Sequence, residues 1–180
     1  VPETRQLDFH SPYGCSKGTA DQYFLDYARI YGMKTVVMRQ SCIYGYRQFG
    51  VEDQGWVAWF AIASMFEHPL TIFGDGKQKR CFSYIDDCLT CLIPMLDQKN
   101  LNKQIINIGP DEEYVTINKI AEICSNLIGC NLRPIYKKDR PHEVRYAVCS
   151  SDKASKFLNY KTNTDLNTGI LNTFNYIKKR

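Results

Sequence analysis

The chain has 180 residues, 44% of them hydrophobic and 23% charged, a balance that supports a packed core and argues against disorder. Its net charge of +4 comes from dispersed lysines and arginines, clustered only at Lys77/Lys79/Arg80, Lys137/Lys138/Arg140 and Lys178/Lys179/Arg180. A nucleic-acid binder concentrates its basic residues on one element, so none is expected as a partner, and discrete clusters suit a small anionic ligand. No apolar run reaches the roughly eighteen residues of a membrane helix, and residues 1–10 lack the apolar core of a signal peptide.

In chain order, Ser11-Pro12 is a helix start, with serine as cap and proline at the first helical position. Ala20, Tyr23, Phe24, Tyr27, Ala28 and Tyr31 recur at helical spacing, and Gly32 suits the C-terminal cap. Thr35 to Met38 reads as a short buried strand of the parallel type. Tyr44-Gly45 opens a polar loop, Arg47 to Gln54. Trp56 to Phe66 reads as an apolar helix in which Trp56, Trp59 and Phe60 belong to the core. Leu70 to Phe73 and Cys81 to Ile85 are strands around a tight turn, Gly74 to Lys77. Asp86-Asp87 is expected to cap a helix running to Leu96. Ile105 to Ile108 is a strand, Thr116 to Ile128 an amphipathic helix and Arg133 to Tyr136 a strand. A charged loop, Asp139 to Glu143, precedes two final helices, Asp152 to Leu158 and Leu166 to Lys178.

The fold expected is α/β: the C-terminal part of a doubly wound Rossmann-type sheet in residues 1–50, followed by a smaller mixed α/β lobe in residues 51–180, some of whose segments return to the first part. No Gly-x-x-Gly-x-x-Gly turn joins a strand to a helix, so a dinucleotide-binding half is expected outside this sequence. The chain also opens on Val1 in what reads as mid-domain sequence, so a fragment or processed product is the expectation. Eight cysteines are too few for a disulfide scaffold of this length, and Cys88, Cys91 and Cys124 fall in apolar segments as buried thiols do. Cys88-x-x-Cys91 has metal-like spacing, but no second Cys/His pair completes a tetrahedron, and no metal is expected.

Tyr13 and Lys17 stand four apart on the first helix and share a face. An ammonium beside a phenol favours the phenolate, which can take a proton from a sugar hydroxyl. Alone, such a pair is equally an exposed helix pair. Ser11-Pro12-Tyr13-Gly14-Cys15-Ser16-Lys17-Gly18, however, resembles the active-site helix of extended short-chain dehydrogenases/reductases acting on nucleotide sugars. Val36 to Arg39, Ile43 to Gln48, Gly74 to Arg80, Tyr84 to Asp87 and Arg140 to Arg145 are similar to later blocks of that family, in the family's order and over nearly the whole chain. Within it, Leu7 to His10, Ala20 to Tyr23, Asp26 to Arg29, Arg47 to Phe49, Asp53 to Val57 and Trp59-Phe60 resemble the CDP-paratose 2-epimerase group.

The resemblance implies NAD as a reusable oxidant and a nucleotide sugar as substrate, epimerised at C2 through a transient keto sugar. Tyr13 would take the hydroxyl proton and Lys17 would contact the nicotinamide ribose. Arg39, Gln40 and Ser41 would line the cofactor. Cys42, Arg80, Arg140 and Glu143 would line the substrate, with both arginines on phosphate and Glu143 on a ribose hydroxyl. The family's Ser/Thr partner of the tyrosine falls upstream of Val1. Three departures stand out: Cys42 where many members carry an amide side chain, as the 2-epimerase group also does not; Cys81 where an Asp often follows the arginine; and Glu143 where Asp is usual. A 4-epimerase or 4,6-dehydratase of the same family is the alternative, the latter weakened because no acidic residue directly precedes Tyr13. A non-catalytic binding remnant is another. The resemblance also implies a cytoplasmic homo-oligomer, to which the Tyr23/Tyr27/Tyr31 face could contribute, unless it packs on the sheet.

Overall fold

The computed structural model describes residues 1–110, 114–129, 133–141 and 143–179. Cys130 and His142 lie outside the described residues. Helix α1, Pro12–Tyr31, begins and ends as its sequence dictates: Ser11 is extended and its hydroxyl accepts from Gly14 N at 3.0 Å, Pro12 occupies the first position, and Gly32 caps the end at φ 67°. Strand β1, Val36–Gln40, follows and pairs in parallel with β6, Gln104–Ile108, from Val36↔Gln104 to Gln40↔Ile108. After Ser41 the same run continues as β2, Cys42–Tyr44, now paired in parallel with β5, Phe82–Tyr84.

Helix α2, Trp56–Met65, leads to β3, Thr71–Phe73, which pairs in parallel with β8, Ile135–Lys137. The strand expected over Cys81 to Ile85 divides into β4, Lys79–Arg80, and β5. Cys81 sits at the break, its N–H donating to Ala147 O at 3.3 Å and its carbonyl accepting from Cys42 N at 3.2 Å. Strand β4 is also the centre of a small sheet, antiparallel to β7, Val115–Thr116, and parallel to β9, Tyr146–Ala147. Both of these strands fall outside the sequence-based expectations.

Helix α3, Ile85–Met95, starts straight from β5, and Tyr84 stands at its cap position without a side-chain bond. The cap expected of Asp86-Asp87 therefore does not form. Asp87, 2% exposed, instead turns its carboxylate to the N–H groups of Asn163 and Thr164, at 3.2 and 3.1 Å. Helices α4, Ile117–Leu127, α5, Asp152–Leu158, and α6, Leu166–Lys178, complete the chain; Thr116 caps α4 and Asp165 caps α6.

Two apolar clusters hold these elements. One joins α2, α4 and α6 to β2, β3 and β5 through Tyr44, Phe60, Leu70, Ile72, Phe82, Ile120 and Ile170. Trp56 and Trp59 pack against it, Trp56 meeting Phe82 edge-on at 5.3 Å, so this aromatic group is core as expected. The other joins α3 and α5 to β6 through Cys88, Cys91, Leu101, Ile106, Ala154 and Leu158, with Val36 and Met38 of β1 against it. Burial of this kind contributes about 25 cal/mol per Å² of apolar surface. By contrast, the Tyr23, Phe24, Tyr27 and Tyr31 face of α1 remains exposed rather than packing on the sheet.

Candidate active site

Tyr13 and Lys17 lie in the first two turns of α1, with Lys17 Nζ 5.6 Å from the Tyr13 ring centroid. Tyr13 is 65% exposed. Among the described residues, no other side chain or backbone group bonds the phenol or the ammonium. Asp21 follows at the next four-residue step, so the stripe carrying the pair leads onto the ion pair of Asp21 Oδ2 with Arg39 Nε, at 2.6 Å. Asp21 is a buried carboxylate whose signal in the sequence is an acid four residues after Lys17 on the same helix.

The run at the C-terminal end of β1 is where ligands collect in open parallel sheets. Arg39 is committed here: besides Asp21, its Nη1 donates to Glu3 O at 3.0 Å. Gln40 is exposed. Ser41 donates its N–H to Ile108 O at 2.9 Å, and its hydroxyl meets that of Ser83 at 2.7 Å. Gly109 follows β6 at this point, where a Cβ would stand 2.5 Å from Ser41 Oγ.

Cys42, Arg80 and Glu143 come together beyond it. Burial pushes the Cys42 thiol above its ordinary pKa, and the nearby Arg80 guanidinium partly offsets that. Arg80 donates from Nη2 to Glu143 Oε1 at 2.6 Å and from Nη1 to Lys79 O at 2.9 Å. Arg140 pairs elsewhere: its Nη2 meets Asp53 Oδ1 at 2.7 Å, and its guanidinium carbon lies 4.2 Å from the Phe73 ring centroid. Lys137 Nζ approaches the same ring at 5.7 Å and Glu52 at 3.7 Å. The loop Glu52–Asp53 and Phe73 thus belong to this cationic region. These contacts join segments that are distant in sequence, so the charge pattern alone does not reveal them. The two expected phosphate ligands have different carboxylate partners, and Arg80, rather than Arg140, is the partner of Glu143. Among the described residues, no three His, Cys, Asp or Glu side chains converge as a metal-binding group.

This parallel-stranded α/β frame and its Tyr13/Lys17 helix have clear counterparts. The profile of the NAD dependent epimerase/dehydratase family matches residues 2–109, and the chain belongs to that family. CDP-paratose 2-epimerase of Salmonella typhi is 34% identical over 97% of this chain and 54% of that protein. A putative UDP-glucose 4-epimerase of Methanocaldococcus jannaschii is 33% identical over 99% of this chain and 57% of that protein. The crystal structure of a Thermotoga maritima UDP-glucose 4-epimerase with UDP-glucose superposes with a TM-score of 0.90 at 30% identity, over 99% of this chain and 57% of that one. That of a Bacillus cereus UDP-glucuronic acid 4-epimerase with UDP-glucuronic acid and NAD does so with 0.90 at 30%, over 99% and 56%. The chain spans about half the length of the curated relatives it matches.

Proposed function

We propose that this chain supplies the catalytic helix and substrate lobe of an NAD-dependent epimerase that inverts C2 of a CDP-linked paratose- or tyvelose-type sugar. The observation that carries this reading is the adjacency of Tyr13 and Lys17 on one open helix face. An exposed phenol beside an ammonium fits the ribose and sugar hydroxyls that a bound nicotinamide dinucleotide and its substrate present. When bound, NAD supplies the acceptor and later the donor of hydride, so no net redox change results. Tyr13 Oη takes the proton of the sugar hydroxyl and returns it at the end of the cycle. Lys17 Nζ holds positive charge beside the oxygen that loses its proton. The Asp21–Arg39 pair ties this face of α1 to β1 and keeps the two side chains in register with the strand ends.

Arg80 has N–H donors beyond those spent on Glu143 and Lys79 and suits a diphosphate oxygen. Arg140, stacked on Phe73, suits the same anion, and Glu143, paired with Arg80, suits a ribose hydroxyl. Similarity to the Salmonella 2-epimerase and the thiol of Cys42 in place of an amide both support inversion at C2. A second reading, inversion at C4 of a UDP-sugar, is supported by the 33% identity to the M. jannaschii protein. Residues 1–50 with β6, α3 and α5 form the proposed cofactor-side unit, and the remainder the substrate lobe. A cytoplasmic homo-oligomer remains part of the proposal, supported by the buried thiols and the exposed aromatic face of α1. No helix among the described residues is long and apolar enough to cross a membrane.

The test is to incubate the full-length protein with CDP-, UDP-, GDP- and dTDP-sugars and follow the ring protons by NMR. Inversion at C2 of a CDP-sugar is the expected result. Inversion at C4 of a UDP-sugar selects the second reading. Absence of turnover on every sugar, with NAD demonstrably bound, overturns both.

A further inference from the structure

Arg145 directly precedes β9, and its side chain bonds two carboxylates from separate parts of the chain. Its Nη2 donates to Asp139 Oδ2 at 2.8 Å and its Nη1 to Asp75 Oδ1 at 2.9 Å. Asp75 belongs to the Gly74–Lys77 turn, which is held from two sides. Asp75 Oδ1 also accepts from Lys77 N at 3.0 Å, and Asn118 Nδ2 of α4 donates to Asp75 O at 3.0 Å. The Arg145 backbone is fixed as well, its carbonyl accepting from Lys79 N of β4 at 2.8 Å. Asp139 is closely confined. Gly74 N donates to Lys137 O at 2.9 Å, and a Cβ on Gly74 would stand 1.9 Å from Asp139 Oδ1. The carboxylate therefore lies against bare glycine backbone, at φ 80°.

Arg140 and Glu143 lie between Asp139 and Arg145 in the chain. Arg140 rests on the Phe73 ring and pairs with Asp53, a carboxylate 85% exposed. A partner so open to water is readily exchanged for an incoming phosphate oxygen. What stays constant through that exchange is the backbone of Arg140, whose immediate neighbour is Asp139.

We propose that Arg145 is a positioning residue for the nucleotide diphosphate: by holding Asp139 to the Gly74–Lys77 turn, it sets where Arg140 meets the anion. The proposal rests on the reading of Arg140 as a phosphate ligand. In this role Arg145 acts through Arg140 and not on the substrate. A planar guanidinium bonds two carboxylates at once from fixed directions, which an ammonium on a flexible stem does not reproduce. Arg145, Asp75 and Asp139 each keep about half their surface in water, where ion pairs add little to stability. Breaking the clamp is therefore expected to disturb the anion site rather than the fold.

The experiment titrates the full-length, NAD-loaded protein with CDP, UDP, GDP and dTDP by calorimetry and carries the tightest of the four through the variants. Arg145→Lys and Asp139→Ala should each raise Kd by roughly three- to tenfold, with the urea midpoint nearly unchanged. In an Arg140→Ala background the same substitutions should raise it no further, a coupling that a merely structural role would not produce. Additive losses would mean that Arg145 acts apart from Arg140 and overturn the inference. An unchanged Kd in Arg145→Lys, with a loss in Arg140→Ala, overturns the inference alone. An unchanged Kd in Arg140→Ala, or no binding of any of the four to the wild type, overturns the phosphate reading and the inference with it. Should Arg145→Lys fail to fold, Asp139→Ala, which leaves Arg145 its pair with Asp75, decides the matter.

Discussion

Arg80 and Glu143, 63 residues apart in the chain, meet in an ion pair at 2.6 Å with the guanidinium 11% and the carboxylate 26% exposed. The pair fastens β4 to the turn before β9. Removing the acid leaves a largely buried cation with one partner fewer. Glu143→Ala is expected to lower stability by roughly 1–3 kcal/mol, seen as a lower urea midpoint with an unchanged slope. Glu143→Asp keeps the charge but withdraws it by one methylene, so a smaller loss is expected.

Tyr13→Phe removes one oxygen from an exposed position on α1 and should leave folding untouched, since Tyr13 is 65% exposed. Loss of a positioned acid/base group costs about 10²–10⁴-fold in rate. Turnover of the full-length enzyme should fall by that order, with affinity for the nucleotide sugar retained in calorimetry. Normal turnover by the variant would remove Tyr13 from the mechanism.

Asp87 holds the segment before α6 through two backbone N–H groups. Asp87→Ala strands both donors, at a cost of about 2–3 kcal/mol. Asp87→Asn keeps an acceptor and should cost less. Chemical unfolding of the two variants side by side gives the ranking, and equal losses would mean that the second bond contributes little.

Gly169 of α6 packs directly on the Tyr44 side chain, where an added Cβ would stand 2.8 Å from Tyr44 Cζ. Tyr44 is buried in the larger cluster and has little freedom to withdraw. Alanine gains about 1 kcal/mol in a helix interior, while overpacking costs about 1–3 kcal/mol. Gly169→Ala should therefore lower the thermal midpoint, and adding Tyr44→Phe should recover part of the loss by removing the hydroxyl. An unchanged midpoint in the single variant would show that α6 can shift outward freely.

Burial pushes Cys88 and Cys91 up to about 11 and Cys124 up to about 12. These thiols are neutral in the folded chain at pH values where an unfolded cysteine, with a pKa of about 8.5, already ionises. A folded pKa above the unfolded one contributes stability that is fully present below the unfolded value. That stability is lost as pH rises from there through the folded values. The urea midpoint should therefore fall from about pH 8.5 upward. In the native protein at pH 8, a thiol reagent should modify exposed Cys15 first and reach these three only with denaturant. Prompt modification of Cys124 would contradict its burial.

Much of α1 is legible in the sequence because its punctuation is local: Ser11, Pro12 and Gly32 act on backbone groups within a few residues. The strands before Gly45 and Gly109 are legible for a related reason, their short β-branched runs. The small β7-β4-β9 sheet is not, since two-residue strands have no period to detect and exist only through their neighbours. Periodicity likewise marks Tyr23, Tyr27 and Tyr31 as one face without revealing what covers it. In the candidate site, the Tyr13–Lys17 pairing follows from helix geometry alone. The pairings of Arg39 with Asp21, of Arg80 with Glu143 and of Arg140 with Asp53 join residues from separate elements, and charge pattern alone does not choose among the available carboxylates. Asp86-Asp87 misled for a simple reason: β5 runs directly into α3, so the acids already lie inside the first turn.

The run from Val36 to Tyr44 changes partner at Ser41, pairing with β6 before it and with β5 after it. Immediately beyond, Cys42 packs against one apolar cluster and its neighbour Ile43 against the other, as alternation along a strand requires. One extended stretch of backbone is thus the shared wall of both interiors. Neither half can melt while the other persists without tearing that wall, so the two interiors rise and fall together as a single cooperative unit.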